Sequence, residues 1–362
     1  TQTAFVSFAG PNRTKPALFV QIELENLSSA TLETAVHARV DARASEIKFV
    51  DGALTAKGRA ILIAAEGWSL AESGRLVQAL KLPPGGRQTV ELVQPCDEVA
   101  EIREVAAYRQ TGCAAALSEF RRYWDEMLAP AAAIEVPEAH VVNMYRAVLT
   151  QLMINADGDI MPYGSDPSWY SGRLYGVEEG YAMMALAQAG FVNDAQRYMD
   201  GTYLTPQFLV KVPEYKKYED RHQQYRNGLQ PHYAVSAYRL SRDRTWIERH
   251  LTLLRQCAEW TVAERRKTMV LEDGQRPLHY GLLPKWSYGG DISELQCYAL
   301  YANFACWKGL VDTAWVLHEL GDPQAAERYR ADAVDYWQSI ERAVEGNYRR
   351  DHQPPFLPLQ LY

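Results

Sequence analysis

Apolar and polar residues follow two different periods along this chain. From Thr1 to about Pro95 the pattern is short and alternating. Ala17 to Asn26 (ALFVQIELEN) alternates in its second half, the period-two mark of a half-buried strand, and Thr34 to Val40 repeats it. Ala60 to Ala64 (AILIA) and Gln88 to Val93 (QTVELV) read as further short strands. Turns rich in Gly and Pro separate them, such as Pro83-Pro84-Gly85-Gly86. Short strands at regular spacing predict a small β-sandwich over residues 1–95.

Past Pro95 the period becomes helical. Residues 97–128 read as one long helical stretch, with Phe120, Trp124 and Met127 on one face. Ala129 to Pro137, bounded by prolines, completes a helical linker over 96–137. From Glu138 to Tyr362 a unit recurs: an apolar helix, a short polar turn, then an amphipathic helix. Its copies are Ala182–Met199, Tyr233–Leu251 and Thr313–Arg330. The turns hold Gly190 with Asn193 and Asp194, Ser241 with Asp243, and Gly321 with Asp322 and Pro323. Gly ends a helix, Asp or Asn opens one, and Pro suits a first turn. Repeated helical hairpins with unequal insertions predict a toroid or solenoid of helix pairs over 138–362. The loops joining hairpins then gather on one face, where binding residues tend to lie.

Composition narrows the chemistry. The net charge of -7 argues against a nucleic-acid partner, which would demand clustered Lys and Arg. No apolar run approaches the ~18 residues of a membrane span. The chain opens on Thr without a basic-then-apolar leader, which leaves a processed signal or a longer parent chain open, and with it the compartment. Five cysteines at wide spacing form no metal-ligand pattern and read as buried thiols. No phosphate loop, nucleotide fingerprint or nucleophile elbow is present, so no cofactor and no metal are expected. The 22 Tyr and 9 Trp against 9 Phe suit an aromatic-lined, wet groove, although long helices also use such residues at the edge of a core.

Two segments resemble the six-hairpin, (α/α)6-toroid glycoside hydrolases, a class that includes glucoamylases, trehalases and rhamnosidases. The first, Tyr163 to Leu204, has an aromatic loop leading to an acidic residue at the start of an inner helix, which runs into an AL-x-x-x-G-x-x-x-x-A turn. The second, Gly281 to Asp322, has a GLLP loop, a Gly-Asp pair, a Tyr/Asn/Trp-rich inner helix and an LGD turn. The resemblance implies a mainly α, multidomain protein with an N-terminal β-sandwich. It also implies exo-acting, inverting hydrolysis of an oligosaccharide or polysaccharide end. A full toroid needs six hairpins and about four are counted before Tyr362, so the helical domain is expected to be incomplete; whether a late catalytic carboxylate lies beyond Tyr362 stays open.

Glycoside hydrolysis uses two carboxyl groups, one protonating the leaving oxygen and one activating water or attacking directly. The resemblance places Glu178 as the acid. Adjacent Glu179 points about 100° away around the helix, so one of the two faces the site. Helix-start carboxylates are also what the macrodipole favours. Asp291 and Glu294, three apart, read as sharing a face at a helix start, either as a cap with its reaching acid or as the second carboxylate. Asp166, Trp169, Tyr170 and Trp286 are candidates for binding sugar rings and hydroxyls. Arg173 suits a substrate carboxylate, and with it a uronic acid. His232, expected at a loop-to-helix entry, suits a hydroxyl or a base role.

Two other readings stay open. A polysaccharide lyase or sugar epimerase on a similar toroid would rely on His232 with Tyr225 or Tyr233. A non-catalytic carbohydrate-binding protein would use the aromatics alone. Oligomeric state is left open, a homo-oligomer included.

Overall fold

The computed structural model describes residues 1–9, 15–39, 47–71, 75–96, 104–162, 177–204, 224–288, 292–358 and 360–361. They form two compact units, Thr1–Ala129 and Pro130–Tyr362.

The first unit has nine described strands: β1 (Gln2–Ala9), β2 (Lys15–Glu25), β3 (Leu32–Arg39), β4 (Ile47–Val50), β5 (Ala53–Ala56), β6 (Arg59–Ala64), β7 (Ser69–Ala71), β8 (Arg75–Leu82) and β9 (Arg87–Pro95). Six make one antiparallel sheet in the order β1-β2-β9-β6-β5-β4, and three make another, β3-β8-β7. The larger sheet is apolar on both faces, and the period of two sorts its residues. Phe5, Phe19, Ile63 and Val93 face one core, while Leu54, Leu62, Val90 and Leu92 face a second core shared with Leu76 and Leu80 of the small sheet. Sheet on sheet is the expected sandwich.

The other face is covered by helices α1 (Val105–Thr111) and α2 (Cys113–Leu128). Val105, Tyr108, Cys113 and Ala116 enter the core with Phe5 and Phe19, and Phe120 packs its ring 5.6 Å from Phe5. The expected single helix over 97–128 is therefore two. The break is at Gly112, whose φ of 63° is a left-handed conformation that Gly reaches without steric cost. Residues 97–103 lie outside the described set.

The second unit begins with helix α3 (Ala139–Asn155). Among the described residues three hairpins follow: α4 (Glu178–Gln188) with α5 (Val192–Thr202), α6 (Arg226–Ser241) with α7 (Arg244–Arg266), and α8 (Leu300–Glu319) with α9 (Pro323–Asn347). Their turns use the predicted residues. Gly190 and Gly321 take φ of 106° and 93°. Asp243 caps α7 by accepting from Trp246 N at 3.0 Å, and Asp322 caps α9 by accepting from Ala325 N at 3.1 Å. Pro323 occupies the first turn.

The turns are tied to one another. Gln196 donates to Ser241 Oγ at 2.9 Å, Arg242 pairs with Glu319 at 3.1 Å, and Arg244 donates to Leu320 O at 3.2 Å. The three hairpins thus share one end, and the starts of α4, α6 and α8 share the other.

Before α8 lies a small sheet, β10 (Trp286–Tyr288), β11 (Ile292–Ala299) and β12 (Gln360–Leu361), in the order β10-β11-β12. The chain before it is anchored by Asn303, a buried amide with its hydrogen bonds satisfied. Its Oδ1 accepts from Leu283 N at 2.9 Å and Tyr336 Oη at 2.8 Å, and its Nδ2 donates to Ala299 O at 2.8 Å. The GLLP segment is thereby buried, with Leu282 and Leu283 inside the main helical core.

No described helix is long and apolar enough to cross a membrane.

Candidate active site

The starts of α4, α6 and α8 bring together Glu178, Glu179, Tyr181, Tyr225, Tyr233 and Tyr301. Close helix packing makes this meeting possible. A Cβ on Gly228 would fall 2.0 Å from Ala305 O, and one on Gly309 would fall 2.6 Å from Gly228 Cα. At this crossing α6 and α8 touch backbone to backbone, which only residues without a side chain permit. The rings of Tyr225 and Tyr301 then meet across the seam at 5.6 Å. Gly180 serves α4 similarly, since the ring of Tyr233 fills the place of its missing side chain. From there Tyr233 Oη donates to Val177 O at 3.0 Å.

Glu178 is exposed and Glu179 is 1% exposed, so the helical rotation between neighbours sends one carboxyl to the mouth and one inward. Both negative charges act on the tyrosines. Burial, opposed by Arg226 and reinforced by Glu178 and Glu179, pushes the Tyr225 phenol up to about 12. Tyr233 is also raised, first by burial and then by Tyr181, Tyr301 and the two glutamates. Tyr301 is raised by burial, by Tyr181 and Tyr225, and by a side-chain hydrogen bond with Tyr181. Tyr203, fully buried and edge-on to Tyr233 at 5.6 Å, is raised by burial and by Glu179. Tyr203, Tyr225, Tyr233 and Tyr301 are therefore neutral hydroxyls at ordinary pH, able to donate as well as accept.

Further along the seam between α6 and α8 lies a second polar group. Fully buried Asp312 meets His232 Nδ1 at 2.8 Å, Lys308 Nζ at 2.5 Å and Arg239 Nη2 at 3.0 Å. Arg239 also stacks its guanidinium 4.4 Å over the ring of Trp315.

The structure sorts the residues singled out from sequence. Glu178 and Glu179 stand at the first turn of α4, as expected. His232 is not at a loop entry: α6 begins at Arg226 and runs through Pro231, so His232 sits inside a helix. Glu294 does not lie at the start of a helix. Glu294 belongs to strand β11, which pairs with β10 through Trp286↔Cys297, Ser287↔Gln296 and Tyr288↔Ile292. Extended pairing satisfies the backbone there, and α8 starts only at Leu300, with Ala299 as its uncapped entry residue. Asp291 lies outside the described residues, as do Asp166, Trp169, Tyr170 and Arg173. Trp286 is half-buried on β10. Cys96 departs from the expectation of buried thiols, being exposed, while the other four cysteines are buried.

Sequence reasoning missed Tyr181, Tyr301, Lys308, Arg239 and Asp312. The signal for several was present in the helical period. Tyr225, His232 and Arg239 recur every seven residues on α6, and Tyr301, Lys308 and Asp312 stand at i, i+7 and i+11 on α8. Among the described residues no group of three His, Cys, Asp or Glu side chains could hold a metal ion. A cavity of about 700 Å³ lies elsewhere, on helix faces of α8 and α9, lined by Trp307, Val311, Trp315, Val334 and Trp337.

The described fold is a β-rich unit followed by helical hairpins whose first helices open at a common end. Among solved structures, the chain is similar to a bacterial glucoamylase in complex with acarbose: TM-score 0.51, 13% identity, covering 96% of this chain and 55% of that one. It is also similar, at TM-score 0.45 and 9% identity over 90% of this chain and 51% of that one, to a protein described as a kojibiose phosphorylase from the human microbiome. The chain spans about half the length of these solved structures. No protein-family model and no curated protein matches the sequence.

Proposed function

We propose that this chain carries the sugar-cleaving machinery of an exo-acting, inverting glycoside hydrolase that works at the end of an oligosaccharide or polysaccharide. One observation carries the reading: an exposed and a buried carboxyl, Glu178 and Glu179, open an inner helix amid a ring of neutral tyrosines. The glucoamylase of similar fold holds acarbose, which supports a glycan as the ligand.

In this reading Glu178, at the mouth, protonates the leaving oxygen. Buried Glu179 sets the charge and geometry of the tyrosines around it. Inversion requires a second carboxylate about 6.5–9.5 Å from the acid, leaving room for a water. Asp291 and Glu294 are this chain's candidates for that base. Tyr181, Tyr225 and Tyr301 offer hydroxyls and ring faces to a sugar, joined by Trp169, Tyr170 and Trp286, while Asp166 and His232 take hydroxyls. Arg173 would select for a uronate.

The test is a product assay on a panel of neutral and uronate oligosaccharides, with wild type and Glu178→Gln, followed by chromatography, ultraviolet absorbance and anomeric NMR. Saturated sugar released with inverted configuration, and a roughly 10²–10⁴-fold loss in the variant, is the expected result. An unsaturated, ultraviolet-absorbing product would assign a lyase instead. Acarbose binding without turnover, unchanged in the variant, would assign a binding protein.

A further inference from the structure

Asp312 is an expensive residue to keep. It is fully buried in the seam between α6 and α8, and a buried carboxylate costs several kcal/mol unless paired. Lys308 and Arg239 supply the pairing. The third partner, His232, is a ring with 21% of its side chain exposed. A carboxylate that takes a hydrogen bond from an ammonium and is ion-paired with a guanidinium is an acceptor only. Nδ1 of His232 therefore carries the hydrogen of the 2.8 Å contact. Nε2, on the far side of the ring from a buried anchor, faces outward, and among the described residues it has no partner. His232 lies two helical turns from Tyr225 on the same face of α6, which puts its ring about 10 Å along the seam from the mouth. That is within the span of a short glycan held at Glu178.

We infer that Asp312 is a positioning residue: it fixes His232 in the Nδ1–H tautomer, so that the Nε2 lone pair accepts a hydroxyl of a ligand lying along the α6/α8 seam. Lys308 and Arg239 hold the carboxylate in place, and Arg239 is itself braced by Trp315. The hydroxyl-bearing ligand rests on the glycosidase reading. The tautomer does not.

The experiment is long-range ¹H–¹⁵N NMR of the histidine-labelled full chain, alone and with acarbose, in wild type, Asp312→Asn and His232→Gln. An Nδ1–H ring in wild type, lost or mixed in Asp312→Asn, is the expected result. An Nε2–H ring in wild type, or a ring unaffected by Asp312→Asn, overturns the positioning role whether or not acarbose binds. With acarbose the Nε2 resonance moves, and each single variant weakens binding by about tenfold, the size of one lost hydrogen bond to a charged or oriented group. The double variant loses no more than either single one. Binding that leaves Nε2 unmoved, or variant effects that add, overturns the ligand contact. If Asp312→Asn does not fold, the wild-type tautomer and His232→Gln, at a partly exposed position, still decide. A wild type that binds no sugar defeats the glycosidase reading and the ligand contact together, and leaves the tautomer result standing.

Discussion

The ring of Tyr233 occupies the space that a side chain on Gly180 would need: a Cβ built there falls 1.9 Å from Tyr233 Cε2. The tyrosine is fixed by this fit and by its hydrogen bond to Val177 O. Gly180→Ala should push the ring aside and break that bond. Overpacking of this kind typically costs about 1–3 kcal/mol, readable as a lower urea midpoint. In the proposed reaction, activity should fall further than in a variant of equal stability loss made elsewhere in the helical unit, because Glu178 and Glu179 stand in the turn that Tyr233 braces.

The crossing of α6 and α8 makes a sharper demand. Gly228→Ala would set a methyl 2.0 Å from Ala305 O, a backbone atom that cannot rotate away. The helices must separate, so the Tyr225–Tyr301 contact and the His232–Asp312 bond should weaken together. Urea denaturation should show a loss at or above the ~1–3 kcal/mol of ordinary overpacking, and tyrosine and histidine NMR shifts should change in concert. Independent changes in the two contacts would mean that the crossing does not control them.

Alkali should unfold the protein through its tyrosines. Burial and neighbouring carboxylates raise Tyr225 and Tyr329 to about 12, against about 10 in an unfolded chain. Between those values the unfolded state loses protons that the folded state keeps, so stability is full below pH ~10 and falls as pH rises toward 12. Absorbance at 295 nm should show an early group of exposed tyrosines and a late group that ionises with unfolding. In Tyr225→Phe the late amplitude should shrink.

Thiol chemistry should single out one cysteine. Cys96 is exposed. Burial pushes Cys113, Cys257 and Cys306 up to about 12, with Glu91 adding to the effect at Cys113. Burial raises Cys297 as well. The thiolate is the reactive form, so one thiol should react with a disulfide reagent at pH 8 and the other four only after denaturation. Fast reaction of a second thiol in the native protein would contradict this burial pattern.

Arg265 should prove a keystone of the helical core. It is 1% exposed and donates to Gly281 O at 2.9 Å, Asp332 O at 3.2 Å and Asp335 at 2.8 Å, with its guanidinium 4.1 Å over Tyr336. Arg265→Ala should cost about 2–4 kcal/mol, from the cavity and the stranded carbonyls, by chemical denaturation. The partner Asp335 is largely exposed, so Asp335→Ala should cost under about 1 kcal/mol.

The parts of this molecule that sequence could reveal are those ruled by local chemistry. Hairpin turns at Gly190, Asp243 and Gly321-Asp322-Pro323 were readable because caps and left-handed positions restrict residue choice on the spot. The strands β2 and β3 were readable from their period, and β6 and β9 as short runs set off by turns. The helix break at Gly112 was not, because a lone Gly within a helical pattern has no unique meaning until φ is known. Ile292 to Ala299 misled because an Asp before a Glu three residues on looks like a helix cap, whereas pairing with β10 decides the backbone there. In the site, Glu178 stood out through its place in a motif. Asp312 could not, since a buried Asp in a helix and a solvated one look alike until the partner helix brings His232 and Arg239 to it.

The tied turns at one end of the hairpins have a consequence for descent with change. The contacts that clamp the array, Gln196 to Ser241, Arg242 to Glu319 and Arg244 to Leu320, lie at the opposite end of the helices from Glu178 and Tyr301. Residues at the starts of α4, α6 and α8 can be exchanged without touching the clamp, so the surface presented at that end can change while the scaffold is inherited intact.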